Sequence, residues 1–461
     1  MPYSSRHDQS SPERGPAALA QTVLNWTLTH LAQRGYPRPA CKRLAFLVTG
    51  MLAASSATRG DLATALEELG LSGAKDESIA RRLGRLLDDA DLDPSRLLPD
   101  LYRDLVPLLL QSVVASHTAN QKLPPFHHRR FPPLRIILDA TTKGDQVHIL
   151  VAGLAYRGIV LPLAIRTWEQ NVPLEAASYW THLLSLCHDV QTVLPAALRD
   201  HILFCADRFF GVPRMLDLCR VLGWSSLLRL QGQTRILRSD GTVLAAKDLA
   251  PQPGTLWLSD PTPTDLTLAS PSDSPAEEAP PVGGFKEAGW RYGRVVACWA
   301  EEADEPWLLL TDLPATPERL ADYARRWAIE RLFLTWKSHG WRLESLRIRA
   351  PQRLARFLSG LAIATLWTVA CALPKILRLK ADLATRGQDR FVAVEQLPLP
   401  WDLPSPPSRP WPAKFSLLTW GRKVLFQTIA GHRLLHLRWD FPDWDAPTWS
   451  VECQALYHGS T

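Results

Sequence analysis

The chain has no Cys-x-x-Cys pair and no Gly-x4-Gly-Lys-Ser/Thr loop. Its seven cysteines, Cys41, Cys187, Cys205, Cys219, Cys298, Cys371 and Cys453, are scattered and odd in number. A thiol zinc site or a disulfide framework is therefore not expected, and a reducing, cytoplasmic setting is. Without the glycine-rich loop there is no cradle for the phosphates of a nucleotide cofactor. Met1 to Arg14 is polar and lacks the apolar stretch of a signal peptide, so residues 1–16 are expected to be a disordered leader. Long apolar runs are also scarce. The one candidate, Leu358 to Pro374, is uncharged for 17 residues, contains Gly360 and ends at proline. That is short for a membrane span and reads as a buried core helix, so no membrane partner is expected. No internal repeat is found.

What is present is ample apolar material: 461 residues, 46% hydrophobic and 21% charged, enough for two or three cores. The net charge of +6 permits a nucleic-acid partner without requiring one. The excess is local. Arg325 to Arg356 holds nine Lys/Arg against two acids, an excess of seven that exceeds the whole chain's. Such a stretch is often a solvated face, but at this density it is also the footprint of a polyanion site.

From Ala17 to about residue 125 the pattern is helical. Thr22–Gln33 and Lys42–Ala54 are amphipathic, and Gly60–Leu69 and Ser78–Asp89 form a pair around Ser72-Gly73-Ala74 that resembles a helix-turn-helix. The second of the pair carries Arg81, Arg82 and Arg85, placed to meet DNA, although a plain helical bundle fits the balanced charge equally well. His127-His128-Arg129-Arg130 reads as a basic linker. The character then changes over residues 126–230. Strands are expected at Leu134–Leu138, His148–Tyr156, Ile159–Ile165, Ile202–Ala206 and Ser226–Leu230, with helices at Ala176–Val190 and Val212–Leu222. Residues 231–310 read as a β-rich insertion, with a Ser/Pro-rich mobile loop at 260–284. Residues 311–395 return to the core, and 396–461 form a proline-rich linker and C-terminal segment.

Two of these strands, the first and the fourth, end in an aspartate, Asp139 and Asp207. If the two strands are neighbours, both carboxylates leave one sheet edge, where open sheets gather their functional groups. A later helix, Tyr323–Lys337, carries one glutamate among cations. At about 100° per residue, Tyr323, Arg326, Glu330 and Lys337 share a stripe roughly 60° wide, beside an apolar row of Ile329, Leu332, Phe333 and Trp336. A surface Glu–Arg pair is the ordinary explanation of Glu330, and a cap or loop residue that of either aspartate. Taken together, three converging carboxylates need a counter-ion, and Mg²⁺ or Mn²⁺ is the natural oxygen-ligated choice. Two such ions would serve in-line phosphoryl transfer. The cations Arg326 and Lys337, with Tyr323, would then face DNA phosphates and not Glu330.

The spacing Tyr323-x2-Arg326-x3-Glu330-x6-Lys337 resembles the signature of the DDE transposases of insertion-sequence family four, the family of the Tn-five and Tn-ten transposases. Four fixed positions in such a chain arise by chance with odds of roughly 0.003. Ile137-Leu138-Asp139-Ala140-Thr141-Thr142 and Cys205-Ala206-Asp207-Arg208 resemble the family's two aspartate blocks, and the likeness runs from about residue 60 to 380.

The resemblance implies an α/β fold: a ribonuclease-H-like mixed sheet flanked by helices, interrupted by the β-rich insertion, with an all-α N-terminal DNA-binding region. It implies a metal-binding triad of Asp139, Asp207 and Glu330, and phosphate contacts from Tyr323, Arg326, Lys337 and Arg208. Trp307 would stack on a flipped-out base, although core packing competes for any one of 18 tryptophans. The implied activity is cut-and-paste transposition. A homodimer binds double-stranded DNA at terminal inverted repeats, cleaves it, and joins the 3′-OH ends to target DNA, with hairpin intermediates as one route. A decayed, non-catalytic DNA-binding regulator and a structure-directed nuclease on the same fold are the rival readings.

Overall fold

The computed structural model describes residues 15–71, 74–122, 133–170, 176–238, 241–259, 266–268, 291–385, 416–442 and 444. Six helices come first: α1 (Gly15–Leu31), α2 (Arg38–Ala54), α3 (Arg59–Glu68), α4 (Asp76–Leu87), α5 (Pro94–Leu109) and α6 (Gln111–Gln121). Strands β1 (Leu134–Lys143), β2 (Val147–Tyr156) and β3 (Ile159–Glu169) follow. Then come α7 (Ala176–Val193), β4 (Ile202–Ala206), α8 (Pro213–Leu222) and β5 (Ser225–Arg229). Short strands β6 (Arg235–Arg238), β7 (Val243–Ala245), β8 (Thr255–Leu258) and β9 (Leu266–Leu268) precede β10 (Arg294–Trp299) and β11 (Trp307–Thr311). The remaining helices are α9 (Glu318–Ala324), α10 (Trp327–Leu334), α11 (Pro351–Thr385) and α12 (Leu417–Ala430). The leader, the basic linker at 127–130, nearly all of the loop at 260–284 and the proline-rich linker lie outside the described residues.

The chain divides into two compact units that cut across its linear order. One gathers Met1–Leu101, Thr335–Asp382 and Leu418–Trp439; the other gathers Tyr102–Leu334, Leu383–Leu417 and Asp440–Thr461. The first unit is helical. Local chemistry sets its boundaries: Pro39 lies in the first turn of α2, and the Thr58 hydroxyl accepts from the Asp61 N–H at 3.2 Å to start α3. Thr365 and Trp367 of α11 are fully buried, and the Trp336 indole donates to the Thr365 hydroxyl at 3.1 Å. By length and composition Pro351–Arg378 would cross a membrane, yet 94% of its most apolar window is buried, as the core-helix reading of Leu358–Pro374 requires.

The second unit is a ribonuclease-H-like core built on one eight-stranded sheet, ordered β3-β2-β1-β4-β5-β11-β10-β8. β1, β4 and β5 run parallel, and every other pairing is antiparallel. β4 is five residues long and buried throughout, which is how a central parallel strand reads: apolar without alternation. β7, β6 and β9 form a separate small sheet. The β-rich segment 231–310 therefore has two parts, and β8, β10 and β11 extend the main sheet. The unbroken apolar runs of β10 and β11, Val295-Val296-Ala297 and Leu308-Leu309-Leu310, are buried.

β1 does not stop at Asp139. It continues to Lys143 because Thr141-Thr142, both β-branched, stay paired with β2 through Thr142↔His148, and the turn comes only at Gly144. On the outer side, β2 and β3 shift register between Ala152 and Gly153, where Gly153 faces Pro162. A Cβ on Gly153 would lie 2.3 Å from the Leu161 carbonyl oxygen, so only glycine fits this bulge.

Candidate active site

The parallel register sets the site. Leu138 of β1 aligns with Ala206 of β4, so the next residues, Asp139 and Asp207, stand at the same level on adjacent strands. The Asp207 carboxylate accepts from the Phe209 N–H at 3.0 Å and holds the tight loop that follows β4. That loop closes on β5: a Cβ on Gly211 would lie 1.9 Å from the Arg229 carbonyl oxygen. Glycine is thus required for the loop to pass β5, and the loop carries Asp207.

Glu330 arrives on α10, which packs on β3 and β1. The stretch from Tyr323 to Lys337 is not one helix, as its periodicity suggested. α9 ends at Ala324, Arg325 and Arg326 form a junction, α10 ends at Leu334, and Thr335–His339 is a π-helical turn. At the junction the bonds are of the tighter type: the Arg326 N–H donates to the Tyr323 carbonyl at 2.9 Å, and the Ile329 N–H to the Arg326 carbonyl at 3.0 Å. Arg326 points inward, against the expectation that this cation faces DNA phosphates and not Glu330. Its Nη1 donates to Asp139 Oδ2 at 2.7 Å and its Nη2 to Glu330 Oε1 at 2.8 Å, and the residue is 6% exposed.

Electrostatics agree with the geometry. Burial pushes the Asp139 carboxyl up to about 6; Arg326 opposes the rise, Asp207 and Glu330 add to it, and the Ala140 N–H, donating to Asp139 Oδ1 at 2.8 Å, opposes it again. Burial works against the charge on Arg326, but Tyr323, Asp139, Glu330 and Asp207 outweigh it and hold the guanidinium protonated. Three carboxylates thus share one buried cation.

The donors are all carboxylate oxygens, the set that suits a hard divalent ion. As arranged, however, no three His, Cys, Asp or Glu side chains among the described residues lie together as a ligand set. The Arg326 guanidinium instead bridges Asp139 and Glu330. The chemistry of the donors fits a cation, and Arg326 supplies one positive charge against the three carboxylates, bonding two of them.

Around this centre the other sequence-derived candidates fall as follows. Tyr323 is 1% exposed, and its hydroxyl makes no hydrogen bond among the described residues. Its ring meets that of half-buried Trp307 edge to face at 5.2 Å. Arg208 is exposed and pairs with Glu305 at 2.8 Å, and Arg229 pairs with the other oxygen of Glu305 at 2.9 Å. Lys337 belongs to the helical unit, where its ammonium lies 3.5 Å from Glu344. In that unit Arg81, Arg82 and Arg85 are exposed on α4. Arg82 and Arg85 line a groove of about 430 Å³ with Lys42, Arg43, Phe46 and Asp89.

Two features were absent from the sequence reading. Tyr179 on α7 borders the site: burial pushes its phenol up, and Asp207 and Asp139 add to the rise. Below the carboxylates, Arg135 on β1 donates to Asp322 on α9 through Nη2 at 2.5 Å and Nε at 3.1 Å, and Arg319 reaches the second oxygen of Asp322 at 2.7 Å. This buried pair ties α9 to the first strand. An Arg alternating into the core at the start of a strand was the available signal, since an inward cation requires an acidic partner.

A parallel pair of strands that brings two aspartates to one level, with a glutamate on a following helix, defines a carboxylate-centred site on a ribonuclease-H-like fold. Residues 185–367 match the family model described as the transposase DDE domain, so a domain of that type is present over this span. The match contains Asp207, Tyr323, Arg326, Glu330 and Lys337, and Asp139 lies upstream of it. A search of curated proteins returned no match.

Proposed function

We propose that the chain is a cut-and-paste DNA transposase of the insertion-sequence family four type. The observation that carries this reading is the β1–β4 register, which sets Asp139 and Asp207 side by side, with Glu330 joined to Asp139 through Arg326. Asp139, Asp207 and Glu330 would hold two Mg²⁺ or Mn²⁺ ions, which when bound activate the attacking oxygen and stabilise the leaving one. The remaining roles belong to the chain itself. Arg326 and Lys337 neutralise backbone phosphates near the scissile position, with Tyr323 and Arg208 beside them. Trp307, half-buried next to Tyr323, receives an extruded base if second-strand cleavage passes through a hairpin. Arg81, Arg82 and Arg85, with the groove beside α2, bind the duplex of the element's end, and two copies of the chain bring two ends together. The chain would act in the cytoplasm, on the DNA that carries its element.

The test is a plasmid bearing the DNA that flanks the gene, incubated with Mg²⁺ and wild type or the Asp139→Asn, Asp207→Asn and Glu330→Gln variants. Wild type should nick at the inverted repeats and join pre-cleaved ends to a target plasmid, and each variant should bind ends but not cut. Cutting without joining indicates a structure-directed nuclease, and end binding without cutting by wild type indicates a regulator. Undiminished cutting by any of the three variants refutes the triad.

A further inference from the structure

Arg326 is one side chain given two incompatible partners. Its guanidinium donates to Asp139 and Glu330 at 2.7 and 2.8 Å, inside the fold and with no DNA present. The reading above asks the same group to hold a DNA phosphate. A guanidinium and a divalent ion also compete for the same carboxylate oxygens, since each neutralises them and neither leaves room for the other.

Resting on that reading, we propose that Arg326 is a counter-ion gate: it holds Asp139 and Glu330 until a DNA phosphate draws it away, so that strand binding opens the carboxylates to divalent metal.

Three observations carry the gate beyond the ion pairs. First, the closed arrangement leaves donors unused. Arg326 Nε and the Tyr323 hydroxyl are both buried, and neither makes a hydrogen bond among the described residues. Two leftover donors beside a cation are what a phosphate, with several acceptor oxygens, would satisfy. Second, Arg326 sits at the α9–α10 junction and not within a continuous helix, so its backbone can turn without breaking a run of i→i+4 bonds. Third, the guanidinium lies 5.6 Å from the ring centroids of both Tyr323 and Trp327. Tyr323 is buried and Trp327 is 43% exposed, so the two rings mark a path from the carboxylates toward solvent along which a cation keeps aromatic contact.

The gate predicts the metal's behaviour without DNA. Replacing Arg326 by glutamine should strengthen Mn²⁺ binding to the full-length, DNA-free protein, read from the free-Mn²⁺ resonance signal. Removing a competitor of this kind should tighten binding by about tenfold, within the usual range of coupling between two sites. Mn²⁺ should also raise the melting temperature of Arg326→Gln more than that of wild type, because the variant's carboxylates have no other counter-ion. In wild type, a duplex at low salt should tighten Mn²⁺ binding, and this enhancement should shrink in the variant, leaving only what direct metal–phosphate contact supplies. A folded Arg326→Gln that binds Mn²⁺ no tighter than wild type overturns the gate. If that variant does not fold, Arg326→Lys decides. It keeps the charge but cannot bridge both carboxylates, so affinity above wild type supports the gate and affinity at or below wild type refutes it. The double variant Asp139→Asn, Arg326→Gln separates the two levels. If it binds Mn²⁺ as tightly as Arg326→Gln, the carboxylates are not the metal site, and the function proposed above fails before the gate is at issue.

Discussion

The raised carboxyl of Asp139 makes a quantitative prediction for the pH dependence of stability. In the unfolded chain this group releases its proton near its ordinary value of 3.8, and in the fold it does so only at about 6. Between those values the folded state binds more protons than the unfolded one, so stability falls as pH rises, and the loss is complete above about 6. A gap of about two pH units corresponds to a loss of about 3 kcal/mol at pH 7.5 relative to pH 2, of which about 2 kcal/mol lies above pH 4. Asp139→Asn cannot ionise and should not suffer this loss, and Glu330 still neutralises Arg326 in that variant. Relative to wild type, the variant should therefore gain stability as pH rises from 4 to 7, by about 2 kcal/mol. Urea unfolding followed by tryptophan emission, at half-unit steps of pH, measures the difference. A gap between variant and wild type that is flat, or that narrows with rising pH, would show that Arg326 keeps Asp139 ionised in the fold, and the reasoning from burial would fail.

Other consequences follow from the same geometry. Metal binding needs the ionised carboxylate, so Mn²⁺ affinity should rise through pH 6, and a titration at pH 5 and 7.5 checks the direction. Arg135→Leu leaves Asp322 with only Arg319 and should cost about 3 kcal/mol, read as a lower urea midpoint. Gly211→Ala forces a methyl against the Arg229 carbonyl and should displace the Asp207 loop, lowering the melting temperature and Mn²⁺ affinity together. Arg82→Glu with Arg85→Glu should weaken duplex binding and reduce the slope of log affinity against log salt by about two.

Much of this architecture was legible in the residues. The apolar strands at 134–138 and 202–206, each followed by aspartate, foretold the sheet edge on which Asp139 and Asp207 meet, because parallel neighbours place equivalent ends together. What was not legible is that Arg326 also reaches Asp139. The projection at about 100° per residue set Arg326 beside Glu330, where the i, i+4 pair is found, but a helical projection carries no information about the strand the helix packs on. The outer strands β8, β10 and β11 were read as an insertion because the chain between them is long and polar. The uninterrupted, buried apolar runs of β10 and β11 were the available sign that these two belong to the main sheet. Tyr179 carried no local signal at all, because its position beside Asp207 depends on where α7 crosses the sheet.

The bulge at Gly153 and Pro162 bears on what can pair with the margin of the main sheet. β3 is the outermost strand, and it is the one carrying the proline. Its missing amide hydrogen and the shifted register interrupt the regular row of donors and acceptors that an incoming strand would need. Continuous β-addition is disfavoured at that margin. The sheet is thereby protected at this border from the fibrous self-association that an unbroken edge strand invites.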